Sequence, residues 1–187
     1  MTPLHVGSTA TRTRTVTARD IELFTEITGD RNPIHYDAQL AARSRFGGVV
    51  VQGGVTSGLL NALVAEQLPG PGSVFLEVAW RFQAPVRPGD VITALAVVTS
   101  VRSDKPVTAM DTIVTNQDGI GVLTGNVVVW RDPVVAGLAP AASGLGPNLQ
   151  FCALHERGPG WAIAAAPERH SAWRYARETE RSQDPWT

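Results

Sequence analysis

A carboxylate, Asp30, and an imidazole, His35, stand five residues apart in the segment Thr28-Gly29-Asp30-Arg31-Asn32-Pro33-Ile34-His35-Tyr36-Asp37. Held on one rigid loop, such a pair can grip a single water molecule: the carboxylate takes its proton, and the imidazole orients it or relays a proton. That is the chemistry of adding water across a polarised double bond, or of removing it. Taken singly, an aspartate in a loop is an ordinary turn former and a histidine an ordinary packing residue. The pair stands out by elimination as well. Apart from His5, the other histidines, His155 and His170, lie far along the chain in a segment of different character.

The elements around the loop must hold the two groups in place. Residues 11–16 alternate weakly and predict a short strand. Thr17, with Asp20 three residues on, predicts a helix N-cap and its capping acid. Ile21, Phe24 and Ile27 are expected on the buried face of that helix, and Gly29 suits the left-handed position that ends it. Asp30 then emerges directly after a helix end. Pro33 stops helix continuation and biases Asn32 toward extended backbone, while Asp37 is placed to cap a second short helix over 38–45. Residues 29–36 are thus expected to be an ordered connection.

Gly53 and Gly54 open a longer predicted helix, 53–67, with Val55, Leu59, Leu60 and Leu63 on its apolar face. At such an opening, unpaired N–H groups and the helix dipole favour negative charge, and glycine allows close approach to the backbone. The alternative use of these glycines is a tight turn into the helix. Four strand-like runs follow, 74–83, 91–102, 107–117 and 120–131. In the first, Val74, Leu76, Val78, Trp80 and Phe82 alternate to one face as in a half-buried strand. Arg87-Pro88-Gly89-Asp90, Asp104-Lys105-Pro106 and Asp118-Gly119 are turns short enough to imply antiparallel neighbours. The class is α+β, one buried helix with an antiparallel sheet. Wrapped around that helix, the sheet would be a hot-dog fold, although pattern alone leaves other α+β arrangements open.

Regular patterning stops after Trp130. We expect one domain over residues 1–133 and a low-complexity, disordered tail over 134–187. The formal net charge of −1 gives no field to hold nucleic acid or an anionic membrane. No apolar run approaches the roughly 20 residues that cross a bilayer. A single cysteine, Cys152, and the absence of a signal-peptide pattern fit a reducing cytoplasm. The chain has no phosphate-binding glycine loop, no paired Cys/His metal spacing and no Gly-x-Ser-x-Gly elbow, so neither a cofactor nor a metal is expected.

The segment around Asp30 resembles the signature of the MaoC-like dehydratases and (R)-specific enoyl-CoA hydratases, in which Gly29, Asp30, Asn32, Pro33 and His35 match in order and spacing, with Ile34 and Asp37. Val50-Val51-Gln52-Gly53, Gln67-Leu68-Pro69-Gly70, Arg87-Pro88-Gly89-Asp90 and Asp104-Lys105-Pro106 are similar too, so that about residues 10–131 are covered and the tail is not. The resemblance implies a hot-dog domain acting on acyl-CoA or acyl-carrier-protein thioesters without a cofactor, paired as a homodimer. It makes Asp30 and His35 the catalytic pair and gives the Gly53 amide the oxyanion role. Gly54, Asn32, Gln52 and Asn61 are expected on the substrate side. Two departures bear on rival readings. Gln52 stands where the family usually carries histidine, and Asn61 stands where one group of hot-dog thioesterases has a helix carboxylate. Asn61 cannot act as a base, which argues against hydrolysis. An acyl-thioester-binding subunit without activity is the third alternative.

Overall fold

The computed structural model describes residues 4–136. All but the first three residues of the expected tail therefore lie outside the described residues. In chain order the elements are β1 (Thr9–Thr15), α1 (Ala18–Thr28), a 3-10 turn (Pro33–His35), α2 (Ala38–Arg43), α3 (Gly53–Glu66), β2 (Ser73–Phe82), β3 (Val91–Val101), β4 (Val107–Thr115), β5 (Gly121–Arg131) and α4 (Pro133–Ala136). The five strands form one antiparallel sheet in the order β1-β3-β4-β5-β2.

The core lies between one face of this sheet and α3. Ala94, Ala96 and Val98 of β3 pair across with Val114, Thr112 and Met110 of β4, and Met110 and Val114 pair on with Val127 and Leu123 of β5. All of these are buried, as are Leu59, Leu60, Leu63 and Val64 of α3. Residues directly opposite in a ladder share a face, so the strands present one continuous apolar surface to the helix. Its buried hydroxyl, Thr112, accepts from Trp80 Nε1 and donates to the Gly125 carbonyl, each at 3.1 Å. This is the hot-dog arrangement, a sheet wrapped on a single central helix.

Local signals explain the start of the chain. The Asp20 carboxylate accepts from the Thr17 N–H (2.7 Å) and the Thr17 hydroxyl (3.0 Å), and pairs with Arg14 of β1. Burial pushes the Asp20 carboxyl up, but the Thr17 bonds and the Arg14 guanidinium outweigh it and hold the group below its ordinary value. Gly29 ends α1 at φ +76°, as its type predicts. Asp37 caps α2 through Gln39 N and Leu40 N, although that helix stops at Arg43, short of residue 45.

Two expectations are corrected. Ile27 is 82% exposed and does not share the buried face of Ile21. Six residues along a helix rotate about 600°, which leaves the two positions roughly 120° apart. The alternation expected in β2 is also broken. The ladder with β5 slips between Phe75 and Glu77, so Leu76 is the extra residue of a bulge. Phe75 lies opposite Val129, and Val78, Trp80 and Phe82 lie opposite Val127, Gly125 and Leu123, on the core face. Val74, opposite Trp130, falls on the other face. Because β2 is an edge strand, Val74, Leu76, Val78 and Phe82 all remain exposed in the isolated chain.

Candidate active site

The loop that follows α1 is built from its own side chains. Asp30 Oδ1 accepts from Asn32 N at 3.0 Å, an Asx turn that fixes one carboxylate oxygen and leaves Oδ2 facing outward from that turn. Asn32 Oδ1 accepts in turn from Ile34 N (3.3 Å) and caps the 3-10 turn that carries His35. Pro33 opens this turn, where its fixed φ and missing N–H do no harm. Asn32, expected on the substrate side, is therefore engaged through Oδ1 in shaping the loop.

The loop is also pinned from behind. The Thr25 hydroxyl donates to the Asp30 carbonyl at 2.6 Å, and the Asp30 N–H donates to Thr28 Oγ1 at 3.2 Å. His35 Nδ1 lies 2.7 Å from the Val50 carbonyl oxygen. A carbonyl can only accept, so Nδ1 carries the proton and a neutral ring keeps its lone pair on Nε2. Nε2 lies 3.7 Å from Asp30 Oδ2, with the His35 side chain 10% exposed and the Asp30 side chain 38% exposed. The two atoms are both acceptors and stand too far apart to bond directly. A water placed about 2.8 Å from each could donate one hydrogen to Asp30 and the other to His35. Asp30 and His35 are thus brought within 3.7 Å of each other, and the Val50 partner of His35 was not readable from spacing.

The segment that receives the His35 bond leads straight into α3. Gln52 is its N-cap residue but makes no side-chain bond to the first turn. Its amide turns instead toward α1, where Nε2 donates to the Ile21 carbonyl (3.4 Å) and to Thr25 Oγ1 (3.1 Å), and the residue is 2% exposed. Gln52 thus differs from its expected place beside substrate: it is a buried tie between helices. With no cap, the N–H groups of Gly53 and Gly54 have no acceptor among the described residues, as the first amides of a helix require unless something satisfies them.

The two glycines are needed for different reasons. A Cβ on Gly54 would lie 2.2 Å from Phe24 Cζ, so Gly54 makes room for α1 packing. A Cβ on Gly53 would meet the ring of Phe82 at 3.0 Å, and Gly53 itself is exposed. Asn61 is exposed and makes no side-chain hydrogen bond among the described residues. It shares one α3 face with Gly53 and Ser57 at four-residue spacing, the face the core leaves open. No group of three or more His, Cys, Asp or Glu side chains among the described residues could hold a metal. No helix among them is long and apolar enough to cross a membrane.

Comparison with known proteins identifies the family. An (R)-specific enoyl-CoA hydratase from Aeromonas caviae is 36% identical over 126 residues, spanning 67% of this chain and 94% of the relative. A mitochondrial 3-hydroxyacyl-[acyl-carrier-protein] dehydratase from Solanum lycopersicum is 29% identical over 134 residues, 71% of this chain and 80% of the relative. Among solved structures, an (R)-hydratase from A. caviae superposes with a TM-score of 0.67 at 34% identity, covering 71% of this chain and all of that one. The MaoC like domain matches residues 4–118, which contain the Asp30–His35 loop, α3 and four of the five strands in full. By that match and these relatives, the chain belongs to the MaoC-like domain family.

Proposed function

We propose that the protein is a hydro-lyase that adds water to trans-2-enoyl thioesters, or removes it from (R)-3-hydroxyacyl thioesters, with Asp30 and His35 as its catalytic pair. The observation that carries this reading is the pairing of two acceptors, Asp30 Oδ2 and His35 Nε2, at 3.7 Å, with the His35 tautomer set by Val50. Asp30 takes a proton from the held water as its oxygen bonds to C3 of the enoyl group. Charge then develops on the thioester carbonyl oxygen. The open Gly53 amide at the start of α3 suits that oxygen, because an oriented backbone donor at a helix N-terminus stabilises an enolate without reorganising. The proton taken from water ends on C2, with His35 Nε2 holding the water and relaying the proton. The (R) hand of the product and the acyl-CoA or acyl-carrier-protein substrate follow from the named activities of the relatives.

Addition of crotonyl-CoA to the pure protein tests this directly. Loss of enoyl absorbance with no thiol released is the expected result. Thiol release would favour a thioesterase, and tight binding with neither change would leave an acyl-thioester-binding subunit.

The catalytic unit is further proposed to be a homodimer. Edge strand β2 carries Val74, Leu76, Val78 and Phe82 exposed together, and Phe82 lies against Gly53, so a copy covering this edge would also close one wall of the site. Sedimentation should give twice the chain mass at micromolar concentration; a stable monomer that still turns over would remove the dimer from the proposal.

A further inference from the structure

We infer that Gln52 and Thr25 are positioning residues for the hydration reaction: through the Thr25 hydroxyl, the N-cap of α3 sets where Asp30 stands. The inference rests on Asp30 being the base. It starts from the hydrogen-bond capacity of one buried hydroxyl. Thr25 is 7% exposed, and its Oγ1 has three neighbours: the Gln52 amide nitrogen at 3.1 Å, the Tyr36 hydroxyl, and the Asp30 carbonyl oxygen at 2.6 Å. A hydroxyl has one proton to give and two lone pairs to fill. Gln52 Nε2 can only donate, so it fills one lone pair. The Asp30 carbonyl can only accept, so it takes the proton. Tyr36 then gives its one proton to the remaining lone pair, in preference to the more distant Ile21 carbonyl at 3.4 Å. Only one assignment satisfies all three partners, and it points the Thr25 proton at the residue that carries the base.

The orientation of the Gln52 amide is likewise determined. Nε2 also faces the Ile21 carbonyl at 3.4 Å, an acceptor that would repel Oε1 if the amide were turned over. Gln52 Oε1 takes no hydrogen bond from the described residues, so the side chain is held through Nε2 alone. Gln52 immediately precedes Gly53, the proposed oxyanion donor. The same residue therefore ties the start of α3 to α1 and, through Thr25, to the Asp30 backbone. Both halves of the site hang from one buried polar strut, so a shift of the base relative to the bound thioester is resisted by bonds that never touch substrate. Misplacement of reacting groups by about 1 Å can cost 10²-fold in rate.

Three variants in the full-length chain test this: Thr25→Val, which removes the hydroxyl at nearly constant volume, Thr25→Ser, which restores it, and Gln52→Glu. Each is assayed with crotonyl-CoA for kcat and KM across pH, beside thermal melts. Thr25→Val is expected to lower kcat by about tenfold or more with KM within about twofold, and Thr25→Ser to recover most of the loss. Gln52→Glu should behave differently with pH. Protonated, its acid can donate to Thr25 as the amide does; ionised, it becomes an acceptor and draws the Thr25 proton away from Asp30. Its kcat profile should gain a descending limb with rising pH that wild type lacks, at temperatures where the melts show it folded. A merely structural role would lower the melting temperature without a kcat-specific loss or a new limb. Asp30→Asn separates the two levels of the argument. If it is inactive while Thr25→Val and Gln52→Glu turn over like wild type, the strut has no positioning role; if Asp30→Asn is itself active, the reading of Asp30 as base fails instead. Should Thr25→Val not fold, the pH profile of Gln52→Glu decides alone.

Discussion

Asp30→Asn and His35→Ala are each expected to reduce enoyl-CoA hydration by at least about 10²-fold, the usual worth of a positioned general acid or base. Asp30→Asn is the cleaner of the two. Its side-chain oxygen can still accept from Asn32 N, so the Asx turn survives and only the capacity to take a proton is lost. His35→Ala removes the bond to the Val50 carbonyl as well, and should cost about 1 kcal/mol of stability besides activity. Because both groups hold one water, the double variant should be little slower than either single one. Steady-state rates on folded protein check this, and near-wild-type turnover by both single variants would sink the assignment of the pair.

The largest expected effect on stability lies far from that loop. A Cβ on Gly125 would sit 1.9 Å from the Ala79 carbonyl oxygen and 3.0 Å from Trp80 Cα, at a φ of +155°. No side-chain adjustment relieves a clash with backbone, so the β2–β5 ladder itself must part. Gly125→Ala should therefore destabilise the protein by about 3 kcal/mol or more. A urea midpoint close to wild type would show that the two strands can yield. Activity should fall with stability, since β2 carries Phe82 against Gly53.

What was legible in the chain was what neighbours along it decide. Gly29 after an apolar helix, Asp37 before one, and Pro-Gly and Asp-Gly turns between alternating runs each act over a few residues, and the structure has them where their chemistry puts them. The Asp30–His35 pair was readable for the same reason: one short loop holds both. Features set by distant partners were not. The bulge at Leu76 exists because β2 pairs with β5 some fifty residues later, and nothing in the β2 sequence marks it. The Val50 carbonyl that fixes the His35 tautomer and the Thr25 hydroxyl that Gln52 reaches, 27 positions away, are products of tertiary packing. Gln52 showed as a departure in type, and only its burial against α1 showed what the side chain does.

On the proposed mechanism, the uncapped start of α3 sets this protein's stability against its chemistry. A serine or aspartate at an N-cap typically strengthens a helix by about 1 kcal/mol, by accepting from its first amides. Gln52 forgoes that gain and leaves those amides open. A search for sturdier variants that scored folding alone would favour a capping side chain at this position. It would thereby fill, with the protein's own oxygen, the place proposed for the oxygen of the substrate. On the proposed mechanism the uncapped helix start serves the reaction, and thermal robustness is a poor guide to improving the enzyme there.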